Sequence, residues 1–209
     1  MDAVLFAQIA EAIYDKGYFV ADQTLPLALT ETLYQQALSI QAYQFHRAGV
    51  GRDENHLLSE AVRTDEVCWV TGESPAGQAW LQWVAGLQDY LNSQLFLGLF
   101  SFESHFAHFA PGDYYKRHVD AFKGEANRVL SLIVYLNPDW NVEDGGELVI
   151  YAGEAEDAMF RISPDFGKLV VFLSEEFPHE VLPASRDRYS IAGWFRLNSS
   201  TAVRVDPPT

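Results

Sequence analysis

The chain has 209 residues, of which 48% are hydrophobic, and it carries a formal net charge of −15 at pH 7. This length and apolar share predict one large globular domain with a sizeable core and argue against disorder as the main state. The acidic surface repels phosphate backbones and anionic lipid headgroups, which argues against a nucleic-acid or membrane-surface partner.

The first hundred residues predict helices broken by short strands. Helical periodicity runs over residues 3–15, 25–43 and 74–96, whereas GYFVAD at 17–22 and EVCWV at 66–70 are typical of strands. Between them, the segment 46–66 is polar, contains glycine and has no sustained period. Long irregular segments of this kind in compact domains are usually lids or binding loops, so we expect a lid over 46–66.

After Phe100 the pattern changes to short segments rich in aromatic and β-branched residues, separated by Gly, Pro, Asn and Asp. Eight strands are predicted, near 103–110, 113–121, 128–136, 147–151, 158–162, 168–173, 178–182 and 188–197. We therefore expect a mainly β fold, a jelly roll or double-stranded β-helix with the helices packed on one outer face. The expected organisation is a single domain over 1–209, with an N-terminal part (1–100), a jelly-roll core (101–197) and a loose tail (198–209).

The cysteine content and the N-terminal residues indicate the cellular compartment of the protein. Cys68 is the single cysteine, so no intramolecular disulfide can form, which fits a reducing environment. The N-terminal residues lack the basic start and apolar run of a signal peptide, and no apolar stretch approaches the ~18 residues of a membrane span. We expect a soluble, cytoplasmic protein with no membrane partner.

A histidine and an aspartate lie two residues apart in YYKRHVDAF, at His118 and Asp120. The period of two places both on one face of a strand, although a surface histidine bonded to a nearby acid would give the same pattern. His179 starts a later strand, where a histidine that caps a turn is the alternative. Two histidines and one carboxylate can bind one side of Fe(II) and leave the other positions open.

The last predicted strand carries an arginine that would point into the barrel. Arg188 and Ser190 share one face, and a buried guanidinium beside a hydroxyl is suited to binding a carboxylate. The alternative for Arg188 is a surface ion pair with Asp187 or Asp165. Tyr135 could add its hydroxyl from the neighbouring strand, where it shares a face with Ser131 and Ile133, or it could simply pack in the core.

This ordered set, HVD then H then R, with YLNPDW at 135–140 and GGEL at 145–148 between them, resembles the iron- and 2-oxoglutarate-dependent dioxygenases. More narrowly, it resembles the prolyl hydroxylase branch, which includes the animal oxygen-sensing enzymes and their bacterial relatives. The resemblance covers roughly residues 15–197.

The resemblance implies a set of residue roles. Fe(II) would be bound by His118, Asp120 and His179, which with Arg188 would form the catalytic set. The residues implied for 2-oxoglutarate are Arg188, Tyr135, Ser190, Ile133 and Ser131. Arg128 and Trp194 would face the substrate, beneath the lid at 46–66. One departure is that Phe109 or Ala110 stands where a pocket tyrosine is expected, which affects the wall on the 2-oxoglutarate side.

The activity implied is hydroxylation of a prolyl residue in a protein substrate, with 2-oxoglutarate decarboxylated to succinate and CO2. Fe(II), 2-oxoglutarate and O2 are the implied cofactors, with ascorbate as a further candidate, and elongation factor Tu is the implied partner of a monomer or weak dimer. Asp120 is retained, which favours hydroxylation over halogenation.

Three other functions remain open. The same chemistry could act on a free amino acid, or the fold could be a non-catalytic jelly-roll binding module. All the expected site residues are present, which argues against a non-catalytic module, because a decayed site would be expected to have lost at least one of them. A nucleic-acid demethylase is disfavoured by the acidic charge and by Trp194, which stands where a second arginine would be expected.

Overall fold

The structure is a computed structural model that describes residues 2–47, 61–121, 127–153 and 155–198. Its three helices are α1 (Asp2–Lys16), α2 (Leu27–Ser39) and α3 (Pro75–Leu95). The strands of this part of the chain are β1 (Tyr18–Ala21), β2 (His46–Arg47), β3 (Glu66–Trp69), β4 (Ser101–Phe109), β5 (Tyr115–His118), β6 (Arg128–Tyr135), β7 (Leu148–Tyr151), β8 (Ala158–Ile162), β9 (Leu169–Leu173), β10 (His179–Val181) and β11 (Arg188–Arg196).

The described strands form two antiparallel sheets. The larger sheet has seven strands in the order β1-β9-β6-β11-β4-β3-β2, and the smaller has four in the order β5-β10-β7-β8. Pairing between strands that are distant in sequence is the connectivity expected of a jelly roll, and this mainly β architecture with three helices confirms the predicted fold class. The early strands β1, β2 and β3 extend the large sheet at both edges.

The helices pack on the outer face of the large sheet, as predicted. They share a core with outward-facing sheet residues, and Trp80, Leu132 and Phe195 are among its buried members. Trp80 of α3 also donates its indole N–H to the hydroxyl of Ser104 on β4, at 3.1 Å. The apolar stripe of α3 is therefore helix-to-sheet packing.

Local signals at its ends define α3. The Ser74 hydroxyl accepts the N–H of Gly77 at 3.0 Å, and Pro75 fills the first turn, where its missing N–H has no cost. The helix ends at Phe96, which adopts the left-handed conformation with φ of 55°. The prediction of 74–96 therefore lies within one residue of the observed helix.

The opposite face of the large sheet lines the interior of the barrel. Alternation along β11 places Arg188, Ser190, Ala192 and Trp194 on this face, and the strand register sets their neighbours. Ser190 lies between Ala107 and Tyr135, Ala192 between His105 and Ile133, and Trp194 between Glu103 and Ser131. Each of these residues thus forms a row with its partners on β4 and β6, and the rows follow one another from Arg188 to Trp194.

Two expectations need adjustment at their boundaries. The predicted helix over 25–43 is shorter because Pro26 lies at its N-cap and Ile40 is extended, and a separate 3₁₀ turn follows at Ala42–Gln44. The predicted lid over 46–66 is not irregular at its ends, since His46 and Arg47 pair with Val67 and Glu66. Its middle, 48–60, lies outside the described residues.

Further sequence expectations concern the tail, the cysteine and the membrane. Residues 199–209 of the predicted tail lie outside the described part of the chain. Cys68 on β3 is free and only partly buried. Among the described helices, none combines the length and the apolar character that a membrane span requires.

Candidate active site

His118, Asp120 and His179 meet between the two sheets, where each offers one ligand atom and these atoms lie within 4.8 Å of one another. His118 ends β5 and pairs across the small sheet with His179, the first residue of β10. The Asp120 carboxylate lies 3.6 Å from His118 Nε2 and 3.7 Å from His179 Nε2. Strand pairing thus brings together three side chains that could hold one metal ion.

Backbone carbonyls fix the orientation of both imidazoles. His118 Nδ1–H donates to the carbonyl of Lys116 at 2.8 Å, and His179 Nδ1–H donates to that of Phe177 at 3.0 Å. With the proton held on Nδ1, the lone pair of each Nε2 is free toward Asp120. This is the tautomer that a metal-binding histidine requires.

Ser131 holds the carboxylate of Asp120. Its hydroxyl donates to Asp120 Oδ2 at 2.6 Å, so the hydroxyl of Ser174, 2.9 Å from the Ser131 oxygen, donates to Ser131 in turn. Ser131, expected on the 2-oxoglutarate side, therefore supports the carboxylate of the candidate metal site, and its contact with 2-oxoglutarate stays a prediction. Ser174 was not anticipated, because its partner lies on a different strand.

The electrostatics keep Asp120 and His179 in the protonation states that metal binding requires. Burial by itself would raise the pKa of Asp120, but His179, His118 and the Ser131 hydroxyl outweigh it, so the pKa lies well below its usual value. Burial and the neighbouring His118 lower the pKa of His179 to about 4. At neutral pH the carboxylate is therefore ionised and His179 is neutral, as metal ligands must be.

A buried arginine lies on the same interior face. Arg188 is 2% exposed, and its Nε–H donates to the Gly146 carbonyl at 2.9 Å. Burial is the main cause that lowers its pKa. The surface ion pair considered from the sequence is wrong, because Asp165 pairs with Lys168, and Asp187 lies 2.8 Å from His108.

Tyr135 faces the Arg188 guanidinium, which lies 5.0 Å from its ring centroid. The phenol is fully buried, and its hydroxyl has no hydrogen-bond partner among the described residues. Burial raises its pKa to about 12, so the hydroxyl keeps its proton as a donor. A buried donor without a partner is costly, and together with Arg188 it marks a place for an anionic group.

Glycine and phenylalanine complete the walls around Arg188. Gly146 has φ of +72°, and a Cβ there would lie 3.3 Å from Arg188 Cδ and 2.9 Å from Ala184 Cβ. Phe109 is buried, with its ring centroid 5.0 Å from the guanidinium. The GGEL motif therefore supplies space and a carbonyl for the arginine, and Phe109 gives this end an apolar wall.

At the other end of the interior face, Arg128 covers Trp194, with its guanidinium carbon 3.7 Å from the ring centroid. The carboxylate of Glu103 accepts from Arg128 at 2.8 Å and from Arg196 at 3.1 Å. Glu103 was missed in the sequence, because only the register of β4 beside β11 places it here.

The two histidines of β4, His105 and His108, lie on opposite faces of the large sheet. His108 lies on the outer side of the sheet, stacked on Tyr189 with ring centroids 4.7 Å apart, so it does not line the interior. His105 lies on the interior side between Trp69 and Trp194 and is 5% exposed. Its alternation with Ala107 and Phe109 was the signal that could have identified it.

Buried neutral histidines predict a pH-dependent stability. Burial, with the charges of Arg63 and Arg128, lowers the pKa of His105 to about 3. The unfolded chain therefore binds a proton at this residue between roughly pH 6.5 and 3 that the folded chain does not. The free energy of unfolding should fall as pH drops through this range, by about 1.4 kcal/mol per pH unit for His105 alone.

Urea unfolding of the metal-free protein between pH 7 and 5 would measure this dependence. His179 contributes in the same direction, so the variant His105→Leu should reduce the slope without removing it. Equal slopes for the wild type and His105→Leu would contradict the assignment of a neutral His105.

Comparison with known proteins places this geometry in a family. A crystallised prolyl-4-hydroxylase from Pseudomonas putida is 35% identical, covers 92% of this chain and 99% of its own, and superposes with a TM-score of 0.82. The family model of the 2OG-Fe(II) oxygenase superfamily matches residues 104–196, which include the three candidate ligands and Arg188. The chain belongs to this superfamily.

Two further proteins are similar to this chain. A prolyl hydroxylase from Trichoplax adhaerens, solved with a hypoxia-inducible factor peptide fragment, is 26% identical over 93% of this chain and 90% of its own, with a TM-score of 0.78. Egl nine homolog 1 of Homo sapiens is 29% identical over 146 residues, 66% of this chain. That match spans about a third (34%) of the human protein.

The superfamily uses Fe(II), 2-oxoglutarate and O2, and the residues present fit the first two. Two imidazoles and one carboxylate with free lone pairs form the donor set that suits Fe(II). Arg188 is buried without an ion-pair partner among the described residues, and the buried Tyr135 hydroxyl faces it, which fits a carboxylate of 2-oxoglutarate.

Proposed function

We propose that this superfamily member hydroxylates a prolyl residue in a protein substrate and converts 2-oxoglutarate to succinate and CO2. The observation that carries the proposal is the His118, Asp120 and His179 cluster on the same interior surface as the buried Arg188. Similarity to prolyl hydroxylases over almost the whole chain supports proline as the target.

His118, Asp120 and His179 would hold Fe(II), which supplies the oxidative chemistry that couples decarboxylation to insertion of oxygen into a C–H bond. The protein orients both imidazoles through Nδ1–H hydrogen bonds, keeps His179 neutral through burial, and holds the carboxylate through Ser131. These contacts fix the ligand geometry before the metal arrives.

Arg188 would bind the distal carboxylate of 2-oxoglutarate, and Tyr135 would donate its hydroxyl to the same group. Ser190 and Ile133 lie on the interior face between Arg188 and Trp194, so we assign them to the wall of the same cavity. Exclusion of water from this apolar cavity strengthens the charge-assisted contact.

Arg128 and Trp194 would contact the substrate at the opposite end. Trp194 is 8% exposed and is held in place by the Arg128 guanidinium, so its indole is a rigid wall. A proline ring is a compact apolar group that packs well on such a surface. Elongation factor Tu, implied by the sequence resemblance to bacterial prolyl hydroxylases, is the first protein to test.

Ser131→Ala should weaken Fe(II) binding by about tenfold, because Asp120 loses the hydroxyl that orients it. Anaerobic titration with Fe(II) would measure the affinity. Ser93→Ala, which removes an exposed hydroxyl bonded to Tyr90 of α3, is the matched control and should bind Fe(II) like the wild type. Equal affinity of Ser131→Ala and the control would show that the carboxylate needs no support.

The decisive experiment incubates the purified protein with Fe(II), 2-oxoglutarate and O2, in separate reactions with elongation factor Tu, a pool of proline-containing peptides and free proline. Succinate release and the mass of the products are measured. An added oxygen on a peptidyl proline supports the proposal. Oxygen added only to free proline supports a small-molecule hydroxylase, and absence of both Fe(II) binding and succinate release supports a binding module.

A further inference from the structure

The interior face holds a second pair of buried polar atoms, away from Arg188 and Tyr135. The Nδ1 of His105 and the indole Nε1 of Trp194 are both buried without a hydrogen-bond partner among the described residues. Their rings are neighbours, with centroids 5.4 Å apart and planes inclined at 51°. Each such atom costs free energy, and native structures usually satisfy buried polar groups.

The strand register places this pair beside the candidate iron site. Trp194 lies across from Ser131, whose hydroxyl holds Asp120, and His105 lies across from Ala192 in the adjoining row. His105 also lies across from Trp69 on β3, whose ring centroid is 5.3 Å away. Because Trp69 is 53% exposed, the cluster runs from the metal ligands to the protein surface.

The two atoms offer complementary hydrogen-bonding chemistry. An indole N–H can only donate, whereas the Nδ1 of a neutral imidazole accepts when the proton is on Nε2. One residue of an extended peptide presents its N–H and its C=O on the same side, so a single residue can satisfy both atoms at once. The aromatic surroundings exclude water from these bonds and thereby strengthen them.

On the basis of the proposed prolyl hydroxylation, we propose that His105 and Trp194 bind the backbone N–H and C=O of one substrate residue beside the target proline. The indole donates to a substrate carbonyl, and the imidazole accepts a substrate N–H. A prolyl residue within a chain has no N–H, so this N–H belongs to a neighbouring residue. The pair therefore favours a polypeptide over free proline, and His105 is a specificity-determining residue.

The test uses the iron-loaded enzyme and one hydroxylated peptide from the pool of proline-containing peptides. His105→Leu removes the Nδ1 acceptor, whereas His105→Asn keeps an oxygen acceptor near the same position. We expect His105→Leu to raise the KM for the peptide by about tenfold, as for a lost hydrogen bond, with a smaller change in kcat. His105→Asn should stay within about threefold of the wild type, and so should the control His108→Leu on the outer face.

Peptides in which an ester replaces one amide next to the proline identify the bonded N–H. The wild type should lose about tenfold in KM for one ester position, and His105→Leu should not distinguish that ester from the amide. An unchanged KM in His105→Leu would overturn this inference, and so would an equal rise in KM for His105→Leu and His105→Asn. Either result would leave the proposed prolyl hydroxylation standing. If the wild type decarboxylates 2-oxoglutarate but hydroxylates no peptide, the proposed function fails, and the inference fails with it.

Discussion

His118→Ala should abolish turnover, with succinate release at least about a hundredfold below the wild type. Loss of an outer hydrogen bond to a metal ligand already costs ~10–100-fold in affinity or activity, and loss of a ligand costs more. Because His118 pairs with His179 across the small sheet, its removal leaves only two of the three ligand atoms. Anaerobic Fe(II) titration, followed by admission of O2 in the presence of 2-oxoglutarate, separates binding from chemistry.

His108→Ala is the control for His118→Ala, because it removes an imidazole from the outer face of the large sheet. The control should bind Fe(II) and release succinate like the wild type. If His118→Ala bound Fe(II) with wild-type affinity, the metal would have to be held elsewhere, and the assignment of all three ligands would be wrong.

Arg188→Met should raise the KM for 2-oxoglutarate by at least about a hundredfold. Truncating one partner of a buried, hydrogen-bonded charge pair costs ~2–5 kcal/mol, and about 2.8 kcal/mol corresponds to a hundredfold. Arg188→Lys should recover only part of the affinity, because an ammonium keeps the charge but lacks the two-pronged donor geometry of guanidinium.

The same variant should behave differently in the absence of 2-oxoglutarate. Arg188 is buried and forms no ion pair with a carboxylate among the described residues, although the charge of Asp65 acts on it from a greater distance, so methionine of similar length should retain or increase the melting temperature of the unliganded protein. Addition of 2-oxoglutarate with Mn(II) should then stabilise the wild type but not Arg188→Met.

Arg186→Met is the matched control, since Arg186 lies on the surface with its Nη1 3.5 Å from Asp144. It should keep the thermal stabilisation by 2-oxoglutarate. A melting temperature of Arg188→Met that still rises with 2-oxoglutarate would show that the cosubstrate carboxylate binds elsewhere.

The sequence predicted the strands after Phe100 well, because each is a short apolar run bounded by turn residues. All eight observed strands from β4 to β11 overlap the predicted ones. The group of His118, Asp120 and His179 was also predictable, since the HVD motif followed by a later histidine is a recognisable order. The C-terminal end of α2 was harder to predict, because the residues around Ile40 keep an apolar pattern although the backbone is extended there.

Contacts that depend on strand register could not be predicted from one sequence. Ser131 was expected beside 2-oxoglutarate, but its hydroxyl reaches Asp120, which is eleven residues away in the chain. Glu103 meets Arg128 only because β4 and β6 both flank β11. Periodicity gives the face on which a residue lies, but it does not give the residue opposite to it on the next strand.

Arg188 and Trp194 mark the two ends of the proposed active site, and both lie on the interior face of β11. Trp194 lies six positions after Arg188, so a strand rise of ~3.3 Å per residue sets their backbones ~20 Å apart. This spacing is a property of the extended backbone and does not depend on which side chains are present. If Trp194 contacts the substrate and Arg188 binds the cosubstrate, as proposed, substitutions at Trp194 would change the choice of substrate and leave 2-oxoglutarate binding intact. An insertion or deletion of one residue between the two would instead invert the faces of all side chains on one side of the change, so that Arg188 and Trp194 would no longer share the interior face.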